Sequence, residues 1–194
     1  MIRNIVKIIS TTAVALLVSS AASATVIDTT STWSGSVNNG WFGSGQSFNV
    51  GAPDTYFDDI TFSFASAANG KTFSFALSDA LNGGNTLFST SFNIVNGFGF
   101  IDVNTSVLAG STVYALIDYN GYNGASAYFQ GNVFAGGNSN FGATGSKVAY
   151  SGLDHVFVAN FTGGASSQVP EPAPMVLFGL GLLGLAVARR RQTK

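Results

Sequence analysis

The chain has 194 residues, of which only 9% are charged, against about a quarter in an average globular protein. Between residues 25 and 165 two lysines, Lys71 and Lys147, face eight aspartates with no arginine, which excludes nucleic acid as a partner, because phosphate recognition needs clustered Arg and Lys. There is no cysteine, so disulfides are excluded and stability must come from an apolar core.

Met1 to Ala24 has the layout of a secretory signal peptide. Arg3 and Lys7 form a charged start, and Ile8 to Val18 form an apolar run broken only by Ser10, Thr11 and Thr12. Ala22-Ser23-Ala24 then supplies the small residues a signal peptidase needs. The pattern predicts export through the Sec translocon, cleavage after Ala24 and a mature chain beginning at Thr25. An uncleaved anchor fits less well, because the run is short of the roughly 20 residues that span a bilayer.

From Val26 to Phe161 the hydrophobic period is two. In ITFSF, Ile60, Phe62 and Phe64 share one face, and in KTFSFAL, Phe73, Phe75 and Leu77 do. LFSTSFNIV places Phe88, Phe92 and Ile94 on one side, and TVYALIDY and HVFVANF repeat the idea less cleanly. Such alternation predicts half-buried antiparallel strands. Asn and Gly cluster between the runs, as in NNG (38–40), NG (69–70), LNGGN (81–85), NG (96–97) and NGYNG (120–124), where they tolerate the positive φ of tight turns. Strands spaced every 8–12 residues predict an all-β body, an antiparallel β-sandwich or jelly roll, over residues 25–165.

Few residues of the body point to chemistry. His155 is the only histidine, beside Asp154 in DHVFVANF, and no G-x-S-x-G elbow accompanies it. It is expected to be a polar residue at a strand end, and no catalytic residue is assigned. The aspartates could form a glycosidase pair, but nothing in the sequence pairs any two, and most are expected in turns or at the surface. No cofactor is required. Calcium is the one ion the residues suit: Asp54, Asp58 and Asp59 precede a strand and offer oxygen ligands, although their spacing matches no EF-hand loop. Zinc is disfavoured by one His and no Cys. Trp33, Trp41 and Tyr122, with Phe42, Tyr56, Tyr119 and Tyr128, lie in or beside Gly/Asn-rich stretches. Exposed, such rings could bind a polysaccharide; more often large aromatics are buried, and the tryptophans would then cap the core.

The tail, residues 166–194, is of another kind. Pro170-Glu171-Pro172 is followed by sixteen uncharged residues, Ala173 to Ala188, and then by Arg189, Arg190 and Arg191. As a helix, 173–188 would extend about 24 Å, a little short of a bilayer core of about 30 Å. It is apolar all round, its glycines suit a membrane helix, and the arginines act as a cytoplasmic stop. The sequence therefore predicts one C-terminal transmembrane helix with the body outside the cytoplasm.

This arrangement of tripeptide, apolar helix and arginine cluster, behind a signal peptide, resembles the PEP-CTERM sorting signal of exported proteins of Gram-negative bacteria. The resemblance implies recognition by the membrane peptidase exosortase. It also implies transient anchoring in the inner membrane, cleavage near Pro170 to Pro172, and a place at the cell surface or in an exopolysaccharide biofilm matrix. The body also resembles PEP-CTERM proteins carrying an FxDxY motif, through Phe57-Asp58-Asp59-Ile60-Thr61 and the later Leu108 to Tyr114. Thr61 stands where that motif has Tyr. The expectation is an exported extracellular protein without catalytic activity; the alternative is a polysaccharide-binding module.

Overall fold

The computed structural model describes residues 24–163, apart from 33–35, 39 and 53. Trp33, Ala22 and the tail from 164 onward, with its sorting residues and expected transmembrane helix, lie outside the described residues. Among the described residues no helix is long and apolar enough to cross a membrane.

Among the described residues thirteen strands, numbered in chain order, form three sheets, and every pairing between them is antiparallel. One sheet has the order β1 (Ala24–Asp28), β13 (Phe157–Thr162), β4 (Tyr56–Ser63), β7 (Phe98–Ser106). The six-stranded sheet runs β11 (Val148–Tyr150), β10 (Ser139–Phe141), β3 (Gly43–Asn49), β8 (Thr112–Asp118), β5 (Thr72–Ser78), β6 (Thr86–Asn93). A small third sheet joins β12 (Leu153–His155), β9 (Tyr128–Gly131) and β2 (Ser36–Val37).

The two larger sheets pack face to face through phenylalanine. Phe48 of β3 meets Phe57 of β4 at 5.6 Å and Phe157 and Phe161 of β13 at 5.1 and 5.7 Å between ring centroids. Phe57 and Phe161 stack at 4.3 Å across β4 and β13. The alternation read from the sequence holds: Ile60, Phe62, Phe64, Phe73, Phe75, Leu77, Phe92 and Ile94 are buried, and Phe88 packs against them half-buried. Each fully buried ring of this kind contributes roughly 1.5–3 kcal/mol. The body is thus the expected antiparallel sandwich.

Two local features shape it further. Phe57 and Ile60 both face the core although three residues apart, which strict alternation forbids. A β-bulge in β4 resolves this, leaving Asp58 outside the ladders to both β13 and β7. The tight turn joining β6 to β7 places Asn96 and Gly97 at φ 53° and 82°, as a two-residue Asn-Gly hairpin turn requires.

Candidate functional site

The aromatic residues divide into two groups. Tyr119 is buried; its hydroxyl accepts from Asn38 Nδ2 at 3.0 Å and donates to Ser44 Oγ at 2.6 Å. Burial pushes its phenol pKa up, only partly offset by those hydrogen bonds. Tyr122 packs on Phe73 at 5.9 Å, its hydroxyl donates to the Ala67 carbonyl, and Lys71 Nζ lies 5.4 Å from its ring. Tyr122 therefore closes one end of the core and does not stand free for a sugar.

Trp41 behaves differently. It is 40% exposed and, with Tyr150, forms the rim of a hollow of about 270 Å³ lined also by Asn38, Phe129, Phe141 and Leu153. The short strands β9, β10 and β11 deliver Phe129, Phe141 and Tyr150 to this corner, where the small sheet meets the six-stranded one. Trp41 meets Phe141 at 5.9 Å and Tyr150 edge-on at 6.4 Å and 75°. The rings therefore make an angled corner, not a flat platform. Asn38 also lines this hollow, and its enclosed Oδ1 accepts no hydrogen bond from the described residues. A hollow of this size, rimmed by two partly exposed rings, suits a single sugar ring.

The acidic residues that could offer ligands to calcium are engaged with neighbouring side chains. Asp54 is buried and accepts from Thr25 Oγ1 at 2.9 Å. Asp59 accepts from Asn160 Nδ2 at 2.7 Å, and Asp58 from Thr162 Oγ1 at 3.3 Å. Burial raises the Asp58 pKa, its bond to Thr162 lowers it, and the charge of Asp59 adds to the rise. Among the described residues no three Asp, Glu, His or Cys side chains gather closely enough to hold a metal ion, so the structure does not assemble the three aspartates into a calcium cage.

His155 ends β12 as expected, yet it is completely buried. Its Nδ1 donates to the Tyr128 carbonyl at 3.2 Å, and its ring lies 5.1 Å from Phe141. Burial lowers its pKa to about 4, so the ring is neutral at physiological pH. Asp154 departs from expectation. It is not a surface charge but a fully buried carboxylate, accepting from Gln46 Nε2 at 3.0 Å and from the backbone N–H of Val133 and Phe134 at 2.8 and 2.7 Å. Gln46 Oε1 in turn accepts from the His155 N–H at 3.0 Å. These groups tie β3, β12 and the loop after β9 together. Adjacent strand residues point to opposite faces, and nothing in the sequence announced that both would be enclosed.

Comparison with known proteins bears on the tail. Residues 168–191 match the PEP-CTERM protein-sorting motif. The chain carries a PEP-CTERM sorting signal. The match spans the Pro-Glu-Pro tripeptide, the apolar run and the arginine cluster. The motif implies export and processing by exosortase. No curated protein matches the chain. Among solved structures, the body is similar to the cysteine protease and lectin-like domains of Cwp84, a surface layer associated protein of Clostridium difficile. That likeness has 15% identity and a TM-score of 0.44, covering 63% of this chain and 32% of that one.

Proposed function

We propose that the protein is a non-catalytic component of the cell surface or extracellular matrix of a Gram-negative bacterium. Its C-terminal helix anchors it in the inner membrane until exosortase cuts near Pro170 to Pro172. The observation that carries this reading is the sorting motif at 168–191, behind an N-terminal segment with the layout of a signal peptide. The non-catalytic part is supported by the condition of the only histidine and its neighbour. His155 is buried on a backbone carbonyl, and the Asp154 carboxylate is filled by three donors, so neither can exchange protons with a substrate. Replacing Pro170, Glu171 and Pro172 with alanine tests the sorting step. The expected result is accumulation of unprocessed chain in the membrane fraction; normal release of the variant would contradict it.

A second reading, polysaccharide binding, is favoured by the hollow rimmed by the partly exposed rings of Trp41 and Tyr150. Trp41→Ala should then weaken retention of the protein on exopolysaccharide by about tenfold, the scale of one lost ring contact. Unchanged retention would remove the hollow from consideration.

A further inference from the structure

A second recess lies on the face of the six-stranded sheet turned away from the core. It is a groove of about 580 Å³ crossing β6, β5 and β8. The core-facing residues of these strands are Phe73, Phe75, Leu77, Val113, Ala115 and Ile117, so alternation turns Ser74, Ala76, Leu116, Asp118, Ser89 and Ser91 outward. The floor is therefore small and rich in hydroxyls.

One wall is the loop between β10 and β11, and it is built rather than loose. Asn82 grips the backbone of Lys147 in both directions: its Nδ2 donates to the Lys147 carbonyl at 2.9 Å, and its Oδ1 accepts the Lys147 N–H at 2.8 Å. Thr144 donates its hydroxyl to Asp118 Oδ2, and Asp118 Oδ1 accepts the Asn120 N–H at 2.8 Å. At this wall sits an unusual cation. Lys147 is 4% exposed, and its Nζ donates to the carbonyls of Ile117 and Gly142 at 2.9 and 3.0 Å. A Cβ on Gly43 would come within 2.6 Å of that Nζ, so the glycine keeps the ammonium's seat open.

An ammonium has three donors, and two neutral carbonyls occupy two of them. Burial lowers the Lys147 pKa to about 8, with the charge of Asp118 opposing the shift, so the group remains mostly cationic at neutral pH. Asp118 supplies an opposite charge nearby, but among the described residues both acceptors bonded to the buried ammonium are neutral, so an anionic ligand atom would add to that compensation. We infer that the groove binds a carboxylated oligosaccharide, its carboxylate taken by Lys147 and its hydroxyls by Ser74, Ser89, Ser91, Asn120 and Asp118. A sugar suits the site better than an acidic peptide. On the face of a sheet the backbone groups are already paired in the ladders, so a peptide strand finds none to join, whereas side-chain hydroxyls and carboxylate match a polyol.

The assignment rests on neither the sorting reading nor the aromatic hollow, and it can fail while both hold. The test is calorimetric titration of the full chain in mild detergent with tetragalacturonate, cellotetraose and a tetraglutamate peptide. Tetragalacturonate should bind, with an affinity that falls as salt rises, and both controls should bind at least about tenfold more weakly, as loss of a charge-assisted bond or of the matching hydroxyls predicts. Ser91→Trp, which fills the groove from an exposed position, should abolish binding without changing the melting temperature. Lys147→Gln should reduce tetragalacturonate binding to the level of the neutral sugar. The inference is overturned by no binding of tetragalacturonate, by equal binding of cellotetraose or tetraglutamate, or by undiminished binding in Ser91→Trp.

Discussion

His155 shows how a single residue can make this fold sensitive to acid. In the unfolded chain its pKa is near the ordinary 6.5, whereas burial holds it at about 4 in the folded protein. Between those values the unfolded state binds more protons than the native state, so folding stability falls as pH falls. The contribution is fully present above pH 6.5, declines as pH drops from there, and is lost by about pH 4. A shift of this size corresponds to about 3 kcal/mol. Denaturant titrations from pH 7 to pH 4 should show that loss in the wild type and a clearly smaller one in His155→Gln, which keeps a donor for the Tyr128 carbonyl. Equal slopes in the two proteins would mean that other groups carry the acid response. The residues around His155 were the least legible in the sequence. Gln46 and Asp154 are polar types that usually lie at the surface and His is intermediate, and they are enclosed by partners distant in sequence, among them the backbone of Val133 and Phe134 and the rings of Phe62 and Phe141.

Among the elements, legibility followed alternation. β4 and β5 announced themselves, because Ile60, Phe62 and Phe64, then Phe73, Phe75 and Leu77, alternate with Ser, Thr and Ala. β3 did not. Its sequence GSGQSFN has one apolar side chain, yet six of its seven residues are buried, since the core covers one face and the Lys147 loop reaches over Gly43 on the other. The bulge in β4 was equally silent, for period two cannot encode an extra residue. β3 nevertheless carries the ring at the centre of the sheet contact. Phe48 touches Phe57, Phe134, Phe157 and Phe161, and a cavity there would lie between two sheets that cannot easily close over it. Phe48→Ala should destabilise the body by about 3–5 kcal/mol, read as a lower urea midpoint with the same dependence on denaturant. A loss below about 1 kcal/mol, the range of ordinary surface changes, would contradict face-to-face packing through this ring.

At the scale of the whole molecule, the two ends of the body meet. Ala24 at the start of β1 is the register partner of Thr162 at the end of β13. The predicted signal peptide thus precedes, and the sorting tail follows, the same corner of one sheet. The tail was the most legible part of the sequence, because export and sorting machinery read linear patterns of charge and hydropathy that survive without a fold. The two recesses were hidden for the opposite reason. Trp41 could be read as a candidate, but its partners Phe129, Phe141 and Tyr150 come from three strands, and the outward serines of β5 and β6 look like any solvated sheet face. Under the proposed function, this body is exported and cut free of both ends. Intact-mass measurement of the protein from the extracellular fraction tests it most directly. A chain starting at Thr25 and ending near Pro170 to Pro172 is the expected result; a recovered chain that still ends at Lys194 would contradict the proposal.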